Sequence, residues 1–295
     1  MADSYSSKFQ IWDGWTRPIV ESRYPAVLTP PPSLQLPSDY TDHLYASETL
    51  GPPSLHGPDE GGLEPYTLQW FLNIEYLRYH RFARWLPSCL EFNKHAGETL
   101  LGLGVGLGTD WVQYARHGAA VVVCSPSAEH LALVRRNFEL RQLPARFLQT
   151  APASLPLDSS SIDVVCITNL LHKVRDPQAI VEEVYRVLKP GGKVLAVTPA
   201  RYGIDFWQRL LLPWRWWLER RWPGEPGKRF TGRMLRALFH RFVEHRVHKR
   251  HLRRADVPHL WRLLPTSMLE RMIGRLLIVK AFKPLSAAIP VPMAA

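Results

Sequence analysis

Between residues 99 and 198 the apolar positions switch repeatedly between short continuous runs and a three-to-four-residue spacing. Runs at 99–103, 120–124, 145–148, 162–168 and 193–198 predict five strands, the third of them weak. The segments between them predict helices at 109–117 and 127–140, the latter with Leu131, Val134 and Phe138 on one face. Asp176-Pro177 supplies an N-cap and a first-turn proline for a further helix. That helix carries Ile180, Val184 and Leu188 inward and is stopped by Lys189-Pro190-Gly191-Gly192. Strands alternating with helices over about 100 residues call for a parallel sheet covered on both faces.

Either side of this core the pattern changes. Residues 1–65 are rich in proline, including Pro30-Pro31-Pro32 and Pro52-Pro53, and lack apolar periodicity, which predicts an irregular arm pinned at most by Trp12 and Trp15. A helical pattern starts near Tyr66 and runs through Trp70, Ile74, Leu77, Phe82 and Trp85 to Pro87. Downstream, 231–242 predicts a helix, and 243–248 and 276–282 predict two strands able to pair antiparallel to the parallel set. The expected fold is therefore α/β: one doubly wound, mostly parallel seven-stranded sheet over 66–284, with an antiparallel strand near the C-terminus and a tail at 285–295.

Composition adjusts the picture in two places. Cys89, Cys124 and Cys166 are widely spaced without a C-x-x-C pair, which argues against a disulfide framework or a zinc site and fits a reducing cytoplasm. No apolar run reaches the roughly 18 residues a membrane-spanning helix needs, and residues 1–10 lack the apolar core of a signal peptide. A cytoplasmic protein is expected. The net charge of +11 is concentrated from Arg201 onward, where 20 Lys/Arg face 6 Asp/Glu. Such a region either meets an anionic partner or is a solvated face.

The glycine-rich run from Leu100 to Asp110 carries the candidate chemistry. A strand ending in Gly104-x-Gly106-x-Gly108 lets the chain turn sharply and approach a ligand with no side chain between, and the following helix offers free N–H groups to an anion. Dinucleotide enzymes use a similar turn, so the pattern alone does not choose. The ordered motifs after it do: Leu155-Pro156-Leu157-Asp158, Ile162-Asp163-Val164-Val165, Asn169-Leu170-Leu171-His172, Asp176-Pro177 and the Arg186–Gly192 run. Together they resemble the class I S-adenosylmethionine (SAM) dependent methyltransferases, within them the methyltransferase type 11 family that includes quinone methylases.

The resemblance implies a Rossmann-like methyltransferase fold, SAM as cofactor, and a cofactor site drawn from Gly102, Gly104, Gly106, Gly108, Asp110, Ser125 and Asn169. It also exposes departures. The acid that usually opens the glycine motif is replaced by Gly102, the ribose-binding acid by Ser125, and the acid near adenine by Ala151. A carboxylate–ribose contact is worth roughly 1.5–3 kcal/mol per hydrogen bond, so its loss weakens cofactor binding unless Glu129 or another group substitutes. Ser125 retains one neutral hydrogen bond.

Methyl transfer needs in-line positioning and, for a hydroxyl acceptor, a base. His172, just past the fourth strand at the carboxyl edge, is the candidate catalytic base, with a pocket-lining role as the alternative. Asp110 either meets the methionine ammonium or complements its helix dipole. Arg78 either contacts the methionine carboxylate or is an exposed arginine on an amphipathic helix. No metal ligands are expected.

Residues 204–222 mix Phe206, Trp214, Trp216, Trp217 and Trp222 with Arg209, Arg215, Arg220 and Arg221, broken by Pro213. This composition suits a lid within a cap at about 201–275, an anionic membrane surface on the inner face, or, ranked below these, nucleic acid. Lys249, Arg250, Arg253 and Arg254 add charge without an RNA-binding signature. Three functions follow in order: a methyltransferase acting on a small-molecule or lipid-like acceptor, a catalytically silent scaffold of the same fold, and an RNA methyltransferase. The sequence leaves the oligomeric state open.

Overall fold

A computed structural model describes residues 48–50, 63–211, 228–253, 257, 261 and 263–285. All lie in the compact unit Pro37–Ala295; a separate unit, Met1–Leu36, with Trp12 and Trp15, falls outside them, as do Pro213, Trp214, Trp216, Trp217 and Trp222.

Five strands carry the parallel part of the sheet: β1 (Thr99–Gly104), β2 (Ala120–Ser125), β3 (Ala145–Gln149), β4 (Ile162–Thr168) and β5 (Leu188–Pro199). With β6 (Val243–Arg250) and β7 (Leu276–Phe282) they form one seven-stranded sheet in the order β3-β2-β1-β4-β5-β7-β6. β7 pairs antiparallel with both β5 and β6, so β6 itself runs in the direction of the parallel set. Only one of the two late strands is thus the antiparallel one. Pairing of β5 begins at Leu188, earlier than the expected 193, because the Lys-Pro-Gly-Gly segment is accommodated by a register shift between Ile162 and Val164.

The helices follow the apolar spacing. They are α1 (Leu68–Tyr76), α2 (Leu86–Leu90), α3 (Thr109–Arg116), α4 (Ala128–Leu140), α5 (Pro177–Val187), α6 (Ile204–Leu211), α7 (Gly232–Leu238) and α8 (Thr266–Ile273). Ser127 caps α4 by accepting from His130 N–H, and Asp176 caps α5 by accepting from the Gln178 and Ala179 N–H groups. The expected long helix from Tyr66 to Trp85 is divided: α1 passes into a π-helical stretch, Leu77–Phe82, before α2. The helix expected over 231–242 ends at Leu238.

Alternation along each strand sends neighbours to opposite cores. Leu101, Leu103, Val165, Ile167, Val194 and Ala196 pack with Ile180, Val181 and Val184 of α5 on one face. Leu100, Val121, Val123, Val164, Cys166 and Leu195 pack with Trp111, Val134 and Phe138 of α3 and α4 on the other. Each fully buried apolar side chain of α5 contributes about 1.5–3 kcal/mol, so a charge at Val184 would detach the helix. The edge strand β6 carries Arg246, His248, Lys249 and Arg250, a charged rim that discourages pairing with another chain.

Candidate functional site

β1 runs out at Gly104, and the chain turns through residues 105–108 into α3. Gly108 has φ 72°, a left-handed conformation that glycine adopts freely. Gly104 is needed for close approach: a β-carbon there would stand 2.5 Å from the Thr168 carbonyl of β4. At Gly102 the neighbour is Trp111, whose indole lies 2.7 Å from where a β-carbon would stand. The space in front of position 102 is thus filled by a buried aromatic ring.

Beside the turn sits a buried polar cluster. Arg78 holds Asp110 through two hydrogen bonds, Nε to Oδ1 at 2.9 Å and Nη2 to Oδ2 at 2.6 Å, and the Tyr79 hydroxyl donates to Asp110 Oδ1 at 2.6 Å. Arg78 is 2% exposed, which corrects the expectation of a solvated arginine; it lies four residues beyond Ile74, on the inward face. Arg78 Nη1 also donates to the Glu48 carbonyl and lies 3.6 Å from the Glu48 carboxylate. The Leu107 N–H donates to Glu48 Oε1 at 2.5 Å. Burial would lower the Arg78 pKa, but the carboxylates of Asp110 and Glu48 raise it, so the guanidinium is always charged. Burial pushes Glu48 above the ordinary carboxylate range, opposed by Arg78, and pushes the Tyr79 phenol up, reinforced by Asp110.

His130, on the first turn of α4, donates from Nε2 to the Gly106 carbonyl at 2.6 Å. Burial holds its pKa below the usual imidazole value, so the ring that braces the turn is neutral. Further back, Glu75 is shared by Arg116 at 2.8 Å and Arg141 at 2.6 Å.

The remaining expected residues lie along the carboxyl edge of the sheet. Ser125 ends β2, is buried, and its Oγ accepts from Ser127 N–H at 3.3 Å. Asn169 follows β4 with φ 53°, a left-handed residue that turns the chain out of the strand. His172 is buried three residues later, and its carbonyl accepts from Lys228 N–H at 2.9 Å. Gly102, Gly104, Gly106, Gly108, Asp110, Ser125 and Asn169 thus belong to one edge, the ends of β1, β2 and β4 and the start of α3. Ala151 and Glu129 are exposed. Glu48, Tyr79, Trp111 and His130 were not expected at the site. Glu48 carries no local signal, whereas a tryptophan on the first turn of the helix that follows a glycine-rich strand does.

The basic carboxyl-terminal region is partly spoken for by structure. Ile204, Leu252, Val257, Leu269 and Ile273 form a small third core with Trp207 against it. Arg275 pairs with Asp205 at 2.9 Å, Arg250 with Glu270 at 3.1 Å, and Lys249 donates to the Tyr202 and Met272 carbonyls. Among the described residues no helix is long and apolar enough to cross a membrane.

For a SAM molecule the fit is uneven. The glycine turn, the Leu107 N–H and Arg78 suit the carboxylate of an amino-acid end, while positions 102, 125 and 151 offer no carboxylate.

Residues 101–196 match the family profile of the methyltransferase domain. Demethylmenaquinone methyltransferase from Clavibacter sepedonicus is 34% identical over 125 residues, covering 40% of this chain and 51% of that protein. The enzyme of the same name from Thermus thermophilus is 35% identical over 117 residues, covering 39% and 53%. The chain spans about half the length of these curated relatives. Among solved structures, the cyclase SpnF superposes with a TM-score of 0.52 at 16% identity, over 87% of this chain and 97% of that one. This likeness concerns the fold. Residues 101–196 are accordingly a class I methyltransferase domain, and the cofactor of that class is S-adenosylmethionine.

Proposed function

We propose that the protein, built around this methyltransferase domain, is a SAM-dependent methyltransferase whose acceptor is a small, lipid-like molecule of the quinone type. The observation that carries the reading is the glycine turn Gly104–Gly108, placed between β1 and α3 at the carboxyl edge of a sheet whose central segment matches the domain. The names of the relatives support the acceptor class.

Bound at this edge, the cofactor supplies an electrophilic methyl group on a sulfonium. The chain's own part is to orient and exclude water. Gly104 and Gly106 bring the backbone against the methionine end, and the Leu107 N–H and Arg78 offer donors to its carboxylate. Ser125 and Asn169 border the nucleoside side. His172 is the candidate to take a hydroxyl proton at a ring nitrogen. The cap formed by α6 and α8 covers the acceptor.

Titration with SAM and S-adenosylhomocysteine by calorimetry tests the reading. Micromolar binding is expected, followed by methylation of isoprenoid quinol precursors. No binding at millimolar ligand would overturn it.

A second reading is favoured by Trp111 on Gly102 together with the loss of the acid at Ser125: a catalytically silent binding protein of the same fold. SAM-dependent turnover by the native protein would exclude it.

A further inference from the structure

The middle glycine of a ligand-binding turn is small so that a ligand can approach its backbone. At Gly106 that approach is already made by the protein itself. The Glu48 carboxylate, 58 positions upstream, stands within the space a β-carbon at 106 would fill. It is buried, 5% exposed, and accepts the Leu107 N–H at 2.5 Å. Arg78 lies against its other oxygen at 3.6 Å. A backbone N–H at a tight turn and a guanidinium converging on one point are what a carboxylate ligand requires.

The Glu48 side chain is not what holds this receptor in shape. Arg78 is fixed by two hydrogen bonds to Asp110, which Tyr79 braces in turn. The Gly106 carbonyl is held from the other side by His130. The donors therefore remain in place when Glu48 withdraws.

We infer that Leu107 N–H and Arg78 form a subsite for the α-carboxylate of an amino-acid ligand, and that Glu48 is an internal ligand of this subsite that must withdraw before such a ligand binds. On the reading of the preceding subsection, that ligand is the methionine end of the cofactor. Two carboxylates cannot share the face of Gly106, for steric and electrostatic reasons alike. Affinity for the cofactor is then reduced by the fraction of molecules with the subsite open.

The discriminating ligand is 5′-methylthioadenosine, which has the nucleoside and sulfur but no α-carboxylate and so has no need of the subsite. Calorimetry is run with SAM, S-adenosylhomocysteine and methylthioadenosine on the full chain and its Glu48→Ala and Glu48→Gln variants. Circular dichroism and thermal melting confirm that each variant is folded. With an open state near 10%, Glu48→Ala binds SAM and S-adenosylhomocysteine about tenfold more tightly and methylthioadenosine unchanged. Glu48→Gln, which keeps the volume and loses the charge, shifts affinity in the same direction by less. Unchanged or weaker SAM binding by Glu48→Ala overturns the proposal, as does a gain shared equally by methylthioadenosine. Failure of the wild type and both variants to bind any of the three overturns the cofactor reading and the proposal together.

Discussion

The indole of Trp111 occupies the ground in front of Gly102: a β-carbon at that position would stand 2.7 Å from two of its ring atoms. A side chain at position 102 and the Trp111 indole would therefore compete for one space. Trp111 is 1% exposed and packs into the core formed with Val123, Val134 and Phe138.

Restoring the acid alone is expected to harm the protein. Gly102→Glu forces the indole aside and costs about 1–3 kcal/mol, read as a lowered midpoint in urea, without a gain in SAM affinity. Trp111→Ala alone costs about 3–5 kcal/mol. In the double variant the clash is relieved, so the combined loss falls short of the sum by about 1 kcal/mol or more. Strict additivity would show that the two positions do not compete for one space.

Asp110 and Arg78 make the second prediction. Their bidentate pair is buried on both sides, at 3% and 4% side-chain exposure. Asp110→Asn leaves Arg78 charged with only the weaker partner at Glu48, and is expected to destabilise the fold by about 3–5 kcal/mol in denaturant titrations. A loss below 1 kcal/mol would mean that water or Glu48 replaces Asp110 at no cost.

These relationships mark where sequence reading stopped. β1 to β4, β7 and the capped helices α4 and α5 were legible because apolar period, N-cap chemistry and glycine punctuation are local signals. Gly104, Gly108, Ser125 and Asn169 fall on the expected edge for the same reason. The charge of Arg78 is compatible with either an exposed or a buried place, and only its position four residues from Ile74 points inward. In the π-helical stretch Leu77, Arg78 and Tyr79 are all buried, an arrangement a 3.6-residue period does not describe. Glu48 was beyond reach: it lies in a segment without apolar periodicity, and its partner Leu107 is 59 residues away.

A third prediction concerns acid stability. Glu91, in a left-handed conformation at the end of α2, receives Lys193 of β5 at 2.8 Å and Lys280 of β7 at 2.7 Å, with Lys94 at 3.1 Å. Burial would raise its pKa, but the hydrogen bonds from the three lysines hold it down at about 2. A carboxylate depressed in the folded state stabilises it fully above the unfolded value of about 4.3. That contribution is lost as pH falls from about 4.3 toward 2. Discounted for partial solvent exposure it amounts to about 1–2 kcal/mol. Glu91→Gln is expected to lower stability by this amount at pH 7 and to converge with the wild type near pH 2. Equal losses at both pH values would assign the effect to packing.

The last prediction returns to the nucleoside side of the site. Ser125 ends β2, pairs with Gln149 of β3, and receives the Ser127 N–H at its hydroxyl. An aspartate there can still accept that N–H with one oxygen while offering the other toward a ribose at the strand's carboxyl edge. Each charge-assisted hydrogen bond so formed is worth about 1.5–3 kcal/mol, against 0.5–1.5 for a neutral one. Ser125→Asp is therefore expected to bind SAM about tenfold more tightly, and Ser125→Asn less so. Adenosine, which shares the ribose and lacks the methionine end, should gain equally, and the ligand-free variant should melt lower because one oxygen of its new carboxylate is buried without a partner until a ribose binds. A gain for SAM without one for adenosine would place the new charge near the sulfonium. No gain for either would mean that the ribose does not lie over the end of β2, and that the nucleoside is held by groups other than those the motif order indicates.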